Sequence, residues 1–491
     1  MEKTIKNEHE NTMGNITCTI IFEGSALNRD EKIGGNIQSI KKLNVDGRVK
    51  SFLSRPAIRH YLFNTLVKAY PNDWQPAKIT GQGEVAQFDI TVDDILTSAE
   101  LDAFGYMFTI GGDMSITRKA PIGITKAISL FDYEQDMCFY ANHDLVNRAN
   151  RNGLDITPNP YQAEEHISLY KLSFTIDTEI FGKDVWIVKN EPRYIENEKK
   201  LLIEIVKPKK VILENVKKLK EENEEYFIIN DDNDLRIYIE DLKLIVSKEI
   251  MEEKIKKDRN NSEGEKFIQF KSKFIKGKKD KTDETDEEKD KNKKGKKENI
   301  KIKENEYKEI IEEEEIKYYE FTLTRIPQYD EGKNELILET GAIKIIENVD
   351  KINENKYKIK MGEIIVNKIN DKVYKIIFDL DENVKKRRIE QILDAIHNGL
   401  LAHSGGEDNT IIPLFFIAGV VKVPSPVFHP FINIERNNGI YKIIGLEDCK
   451  KNNWVETDKI YIKCSENIRC EEDNFIKCFN DFKNKIGINK K

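Results

Sequence analysis

The alternation of apolar and polar residues near the start of the chain predicts a β-strand that leads, through a basic segment, into an amphipathic helix. Apolar side chains recur at every second position from Ile16 to Phe22, the pattern of a strand with one buried face. Further along, Ser54 is placed to cap a helix that has Pro56 in its first turn. The apolar face predicted for this helix consists of Ile58, Leu62, Thr65, Leu66 and Ala69.

Basic residues are concentrated between this strand and this helix. Gly34 and Gly35 lie in the same segment and would let backbone amides approach a ligand closely. Arg55 and Arg59 are four residues apart near the start of the predicted helix, where the helix dipole favours an anion. The sequence therefore predicts a loop with a cationic surface suited to phosphates, and solvated surface bases are the alternative. The other basic residues of this segment are Arg29, Lys32, Lys41, Lys42, Arg48 and Lys50.

Similar patterns predict further core elements on both sides of a compositionally different middle. Within residues 106–131, Gly111 and Gly112 break the run, and Ile122 and Ile124 after them predict a strand that enters a core. The residues alone favour a buried strand flanked by solvated bases, which are Arg118, Lys119 and Lys126. Residues 169–180 and 373–380 predict two more strands, and an apolar stripe over residues 384–401 predicts a helix that is followed by a glycine turn. Residues 92–104 predict a short helix whose polar side carries Asp93, Asp94 and Glu100.

Residues 191–371 differ from the rest in being rich in Lys, Glu, Ile and Asn. Mixed charges without core-forming residues predict a solvated linker at about 258–305. Residues 226–229 and 235–239 are separated by Asn and Asp and predict a hairpin. We interpret the middle as a large, low-complexity, β-rich insertion.

Charge and cysteine content exclude several classes of protein. The net charge of −7 argues against a simple basic nucleic-acid binder, but residues 29–59 have a local basic excess, so RNA is not excluded. The six cysteines are too unevenly spaced for a disulfide framework, and Cys464, Cys470 and Cys478 lack zinc-site spacing and are interpreted as ordinary thiols. The first 14 residues predict a disordered terminus without a secretory signal, so we expect a cytoplasmic protein without a membrane span, metal or cofactor.

Three stretches resemble one known family. The first has the order strand, Gly-Asn-Ile loop, basic segment and S-x-x-x-I-R-x-x-L helix, which ends at Leu62. The second is R-K-x-P-I-x-I-T-x-A-I-S-L, from Arg118 to Leu130, and the third is the helix, glycine turn and apolar segment of residues 384–421. In this order they resemble the DevR-like backbone subunits of type I-B CRISPR Cascade complexes, which are members of the RAMP superfamily.

The resemblance implies an α+β fold with an RRM-like, ferredoxin-like core formed by residues 15–190 and 372–435, interrupted by the insertion and followed by an appendage at 436–491. It implies a non-enzymatic protein that forms a filament along crRNA, presents the guide to target DNA and contacts other Cascade subunits. An excursion at about residues 133–165 would be the projecting thumb that touches the neighbouring copy. The resemblance places the RNA-binding residues in the first two stretches: Arg29, Lys32, Lys41, Lys42, Arg48, Arg55, Arg59, Arg118, Lys119 and Lys126.

Two alternatives remain open. The first is an RNA endonuclease of the RAMP superfamily, because related type III subunits carry a cleaving aspartate in a loop similar to that of Asp30, and His60 could act as a general base. The second is an interaction protein that works through its Lys- and Glu-rich middle. Deletion of residues 258–305 would abolish the function of such an interaction protein but leave a guide-binding backbone largely intact.

Overall fold

The computed structural model describes residues 13–25, 29–33, 37–82, 85–110, 114–213, 216–221, 224–229, 232–240, 243–247, 308–312, 315–322, 328–404, 407–437, 440–470 and 474–488. The predicted linker at 258–305 and the glycine pairs at 34–35 and 405–406 lie outside these residues, as do residues 1–12. Met13 is described, and its backbone carbonyl accepts a hydrogen bond of 2.7 Å from Thr178.

The described residues form a mixed α/β structure in which strands predominate. The helices are α1 (Arg55–Ala69), α2 (Ala99–Phe104), α3 (His143–Arg151), α4 (Glu382–Asn398), α5 (Leu446–Lys450) and α6 (Phe479–Lys485), with one 3-10 turn at Glu196–Glu198. The strands before the middle region are β1 (Asn15–Ser25), β2 (Arg29–Ile33), β3 (Ile37–Ile40), β4 (Lys42–Val45), β5 (Arg48–Leu53), β6 (Ile79–Gln82), β7 (Val85–Phe88), β8 (Tyr106–Ile110), β9 (Met114–Arg118), β10 (Ile122–Ile124), β11 (Ala127–Ser129), β12 (Asp136–Tyr140), β13 (Tyr161–Glu165), β14 (Ile167–Ile176), β15 (Lys183–Val188) and β16 (Arg193–Ile195).

The middle region contributes β17 (Lys200–Leu213), β18 (Val216–Glu221), β19 (Glu224–Ile229), β20 (Asp232–Glu240), β21 (Lys243–Ser247), β22 (Lys308–Glu312), β23 (Glu315–Thr322), β24 (Gln328–Asp330), β25 (Glu335–Ile346), β26 (Asp350–Lys351), β27 (Lys356–Ile359) and β28 (Gly362–Asn370). The remaining strands are β29 (Val373–Leu380), β30 (Leu400–Ser404), β31 (Glu407–Ile411), β32 (Phe415–Val421), β33 (Asn433–Asn437), β34 (Ile440–Ile444), β35 (Val455–Cys464) and β36 (Ile468–Arg469).

The central sheet has eight strands, and β1 lies inside it between β14 and β32. The strand prediction for Ile16–Phe22 is confirmed, but the prediction of one exposed face is wrong. Thr17 and Thr19 are fully buried, and Ile21 packs into a second apolar cluster on the other side of the sheet. Both faces of β1 are buried because helices cover one face and a C-terminal lobe covers the other.

The helical face of the sheet is covered by α1 and α4, which contact each other. The predicted cap is present: the hydroxyl of Ser54 accepts a hydrogen bond of 3.4 Å from the backbone N–H of Ala57. Ile58 and Leu62 of α1 and Ile392 of α4 enter the same core as Phe22. The predicted helix at 384–401 ends at Asn398, because Gly399 adopts a φ of 122° that terminates it.

The C-terminal segment is an integral part of the central sheet. β35 pairs with β32 over most of its length, and Phe482 of α6 is fully buried in the helical-side core. The lobe formed by residues 427–475 covers the opposite face of the sheet. Cys464 and Cys470 form a disulfide with 6.5 Å between their Cα atoms, so the prediction of ordinary thiols is wrong for this pair.

A second core lies beside the first, around the five-stranded sheet β15-β29-β28-β27-β26. The predicted helix at 92–104 is limited to α2, and Asp94 and Glu100 are buried rather than solvated. Asp94 accepts the backbone N–H groups of Leu96 and Thr97 and forms a buried ion pair of 2.9 Å with Lys344. These bonds favour a capped turn over a longer helix.

A buried ion-pair network connects the two cores. The carboxylate of Asp102 is 2.9 Å from the guanidinium of Arg118 and 2.9 Å from that of Arg388. The same carboxylate accepts the backbone N–H of Gly182 at 2.8 Å. Through these bonds, one buried carboxylate connects the segments of the chain at residues 102–118, 182 and 388.

In the middle region, β17 and β25 pair along most of their length inside a four-stranded sheet in the order β16-β17-β25-β24, and Leu201 and Ala342 of these strands belong to the second core. The hairpin predicted from 226–229 and 235–239 is confirmed as β19 and β20. These strands belong to a six-stranded sheet in the order β18-β19-β20-β21-β23-β22. The β-rich character predicted for the middle region therefore holds for its described part.

Candidate nucleic-acid interface

The basic segment between β1 and α1 is mainly strand rather than loop. β2 and β3 form a hairpin that joins β12 and β13 in a separate four-stranded sheet. β4 and β5 form a second hairpin at the edge of the central sheet, where β5 pairs with β11. The basic residues on these strands are therefore divided between two sheets.

Four of the ten predicted site residues are exposed. The side chain of Arg48 is 71% exposed, and its contact with Asp132 is a long 3.8 Å. Arg55 is exposed at the first residue of α1, and Lys119 and Lys126 are exposed beside β9 and between β10 and β11. We call these four residues the exposed cation set.

Arg55 and Lys126 flank the paired ends of β5 and β11. β11 begins at Ala127, which pairs with Leu53 in antiparallel register. Continued by one residue, this register sets the backbone of Lys126 opposite Ser54, the cap of α1, which Arg55 follows in the chain. This arrangement puts two exposed cations at the N-terminus of a 15-residue helix, where the helix dipole also attracts an anion.

Two of the predicted residues are instead held by carboxylates at the base of the excursion. The Nζ atom of Lys42 is 2.7 Å from Oε2 of Glu164, and it also lies 4.7 Å from the centre of the Tyr133 ring. Arg29 forms an ion pair of 2.9 Å with Glu165. Phosphate contacts from these cations would require exchange of an existing carboxylate partner.

Two more of the predicted residues have structural environments. Arg59 pairs with the buried Glu100 at 3.0 Å and lies over the ring of Phe104. Arg118 is only 8% exposed and belongs to the Asp102 network, so the predicted contact of Arg118 with backbone phosphates is not compatible with its burial. Its position at the end of a strand is visible in the sequence, but its buried partner is distant in the chain.

The structure gives less detail on the surroundings of the last two predicted residues. Lys41 is half-buried between β3 and β4, and its carbonyl accepts the backbone N–H of Phe52 at 3.0 Å. Lys32 lies in β2, and its side chain is outside the described part of the chain.

Sequence reasoning missed the acidic partners of the basic segment. Asp132 accepts a hydrogen bond from Lys50, which lowers the pKa of its carboxyl group. Burial raises the pKa of Glu164, but the hydrogen bonds from Lys42 and from the backbone of Ile40 outweigh burial, so the pKa is below its usual range. The acidic pair at 164–165 is visible in the sequence, but its pairing depends on contacts across more than 120 positions.

Glu165 and five other acidic residues line a groove of about 820 Å³ at the base of the excursion. Its carboxylates would repel a polyanion, which separates the groove from the exposed cation set. They belong to Glu23, Glu134, Asp136, Glu165, Glu407 and Asp408.

The excursion consists of β12, α3 and β13. None of the residues of α3 is buried, and the rings of Tyr140 and Tyr161 stack 5.1 Å apart at the outer end of the β12–β13 ladder while remaining about two-fifths exposed. Exposed apolar residues run along it: Phe139, Leu145, Leu154 and Ile156. A helix of nine residues with no buried face gains little stability from its own chain.

The structure describes the side chain of only one of the two residues proposed for RNA cleavage. His60 is exposed on α1, and its Nε2 atom is 2.9 Å from Nδ2 of Asn64. Asp30 lies in β2 with its side chain outside the described residues. Within the described ranges, no group of three or more His, Cys, Asp or Glu residues could hold a metal ion. In that part of the chain, too, no helix has the length and apolar character needed to cross a membrane.

Comparison with known proteins identifies a family for this chain and a similar solved structure. A family model described as "CRISPR-associated negative auto-regulator DevR/Csa2" matches residues 16–438. No curated protein matches. A solved structure described as "CRISPR RNA-guided surveillance complex, pre-nicking" aligns with 34% of this chain at 9% identity and a TM-score of 0.22. The alignment spans 65% of that structure's chain, just under two thirds of its length.

Proposed function

Because the chain belongs to the DevR/Csa2 family of CRISPR-associated proteins, we propose that it is a crRNA-binding backbone subunit of a type I-B Cascade surveillance complex. Several copies would line one guide RNA in the cytoplasm and leave its bases free to pair with target DNA. Other Cascade subunits would bind the ends of this filament.

One observation carries the RNA-binding proposal: three members of the exposed cation set lie on the elements around β5. Arg48 begins β5, Arg55 begins α1 after it, and Lys126 directly precedes β11, which pairs with the end of β5. Cations at a helix N-terminus bind phosphates without reading base sequence. A subunit that must accept any spacer needs this kind of contact.

We further infer an RRM-like, ferredoxin-type core. Its support is the topology of the elements in chain order: β1, α1, β11, β14, α4 and β32. In the sheet these strands run in the order β32-β1-β14-β11, and both helices pack on one face. This βαββαβ arrangement with antiparallel neighbours is that of ferredoxin-like folds.

The excursion of β12, α3 and β13 is our candidate for the thumb that contacts the neighbouring copy. Its exposed apolar residues, which include Phe139 and Leu154, support this assignment because a partner would remove them from water. A neighbouring copy in a filament would also give α3 the buried face that it lacks in its own chain.

The nucleic acid that accompanies the protein tests the proposal directly. The protein is co-expressed with its neighbouring genes and purified, and the bound RNA is sequenced. We expect discrete RNAs in which one spacer lies between repeat-derived ends and is protected along its length. Absence of RNA, or a heterogeneous mixture without repeat sequence, would contradict the proposal.

Two further measurements separate the proposal from its alternatives. Incubation of the complex with guide and target RNA should give no cleavage that depends on Asp30 or His60, tested with Asp30→Ala and His60→Ala. Deletion of residues 258–305 should leave guide binding intact. Cleavage lost in either variant would favour an endonuclease, and loss of guide binding on deletion would favour an interaction protein that works through its middle.

A further inference from the structure

We propose that Glu164, Glu165 and His166 form a latch that fixes the direction of the excursion relative to the basic segment. They are positioning residues rather than RNA ligands. The inference rests on the proposed function, because its consequence is the spacing between successive copies on one RNA. Its basis is that three consecutive polar side chains each bind a different point of residues 29–51.

Glu164 makes the tightest of these connections. Its side chain is 7% exposed, and its two oxygens lie 2.7–2.8 Å from Nζ of Lys42. The same carboxylate accepts the backbone N–H of Ile40 at 3.1 Å. Because Ile40 ends β3 and Lys42 begins β4, one carboxylate holds the junction between the two hairpins of the basic segment.

Glu165 extends the latch to β2. Its Oε1 atom is 2.9 Å from the guanidinium of Arg29, which also donates to the backbone carbonyl of Glu164. Arg29 lies 3.7 Å from Glu407 on the β30–β31 hairpin. One arginine thus connects the end of β13 with two other hairpins.

His166 completes the latch on the sheet side. Its Nδ1 atom is 2.7 Å from the hydroxyl of Ser51, which is fully buried in β5. The same hydroxyl lies 2.7 Å from the phenol of Tyr170. The imidazole packs against the Tyr133 ring at a centroid distance of 5.3 Å, immediately before β12. The ring therefore touches both the entry and the exit of the excursion.

These contacts set the direction of the excursion because little else holds it. α3 buries none of its residues, and β13 pairs with β3 at only two positions, Gln162 with Ile37 and Ala163 with Gln38. A short ladder of this kind leaves a two-stranded projection free to swing unless side chains brace its base. The three latch residues supply that brace.

A change in the direction of the excursion has little effect on RNA binding by one copy but a large effect on RNA binding by many copies. The exposed cation set lies on other elements, so a single copy retains its phosphate contacts when the latch is weakened. In a filament, each copy must meet the next at the spacing imposed by the RNA, and a misdirected excursion is repeated at every junction. Loosening the latch should therefore reduce cooperative binding to long RNA and spare binding of one copy to short RNA.

The test compares Glu164→Gln with a matched control, Glu100→Gln. Glu100 has the same local chemistry: 7% side-chain exposure, an ion pair of 3.0 Å with Arg59, and a hydrogen bond of 3.0 Å from the backbone N–H of Ala77. It lies in α2, away from the excursion. Binding is measured to a short RNA that accommodates one copy and to a long RNA that accommodates several, with copy number counted by native mass spectrometry. Lys42→Arg serves as the conservative variant that keeps the latch.

We expect Glu164→Gln to lower the affinity for the long RNA by about tenfold or more, because every copy in the filament loses its charge-assisted pair between Glu164 and Lys42. The affinity for the short RNA should change less than about twofold. Amide hydrogen exchange in β12 should rise with it. Glu100→Gln and Lys42→Arg should keep the wild-type ratio of long to short affinities.

Equal losses on both RNAs, or an unchanged ratio in Glu164→Gln, would overturn the latch. A wild-type protein that binds neither RNA would instead contradict the proposed function. If Glu100→Gln lowers the ratio of long to short RNA affinity as much as Glu164→Gln does, the effect is a general loss of stability, and this result would also overturn the latch.

Discussion

Removal of two members of the exposed cation set gives a quantitative test of phosphate binding. The variant combines Arg48→Ala with Arg55→Ala. Each cation that neutralises a phosphate of single-stranded RNA adds about 0.7 to the slope of log affinity against log salt, so the loss of two contacts should flatten the slope by about 1.4. Between 50 and 200 mM salt, the affinity defect of the variant should therefore shrink by about sevenfold.

The structure supports this calculation because both side chains are exposed. The Arg48 side chain is 71% exposed, and its 3.8 Å contact with Asp132 is of a kind that contributes little to stability. Arg55 begins α1 without being buried. We expect each substitution to change the free energy of unfolding by less than about 0.5 kcal/mol, so a binding defect cannot be traced to unfolding.

The assay is a salt titration of RNA affinity with a charge-matched control. Arg193→Ala combined with Lys199→Ala removes the same two charges from side chains of similar exposure, 65% and 63%, on the other half of the molecule. That control tests for effects of net charge alone, which are largely screened beyond about 8 Å at physiological salt. A slope that is unchanged in Arg48→Ala/Arg55→Ala, or one that is equally flattened in the control, would refute the assignment.

Three further outcomes concern the fold. Asp102→Asn should destabilise the protein by about 3–5 kcal/mol in chemical denaturation, because it removes the carboxylate that lies 2.9 Å from both buried arginines and leaves Arg118 only the more distant Asp184 at 3.9 Å. Asp144→Asn at an exposed pair should cost less than about 1 kcal/mol, and equal costs would contradict the network's role. Burial and the nearby Lys171 lower the pKa of His429 to about 4 from its ordinary 6.5. The unfolded chain therefore binds this proton at a higher pH than the folded chain, and the free energy of unfolding should fall as pH drops from 6.5 to 4. His429→Gln should reduce this dependence of the unfolding free energy on pH, and an unaltered dependence would contradict the role of His429. Ser54→Ala should lower the free energy of unfolding by about 1 kcal/mol through loss of the α1 cap, while Ser54→Thr should retain most of the wild-type stability. Wild-type stability of the alanine variant in thermal unfolding would show that the cap does not stabilise the protein.

Local patterns in the sequence were sufficient for elements whose stability is local. The cap of α1 at Ser54 and the hairpin of β19 and β20 follow from residues a few positions apart. The strand character of residues 16–22 follows from alternation alone. Its burial on both faces does not, because the cover on the second face comes from residues 427–475, more than 400 positions later.

The sequence analysis did not identify which ionisable residues are buried with a partner. Arg118 and Lys126 occur in one basic run, yet Arg118 is buried against Asp102 and Lys126 is exposed. Glu100 and Asp94 have the spacing of a solvated helix face but accept buried backbone N–H groups. The sign and spacing of charges do not reveal which of them has a partner, because the partners lie on distant elements.

The division of the basic residues also explains how a chain with a net charge of −7 could bind RNA. Arg29, Lys42, Arg59 and Arg118 are neutralised by carboxylates of their own chain, and four other cations remain exposed at a different edge. If only the exposed cation set meets phosphates, the salt slope should be about 3 per bound copy, whereas contacts from all ten predicted residues would give about 7. The wild-type titration distinguishes these values. A slope near 7 would mean that RNA displaces carboxylates from the paired cations, including those of the latch, and that binding and excursion movement are one process.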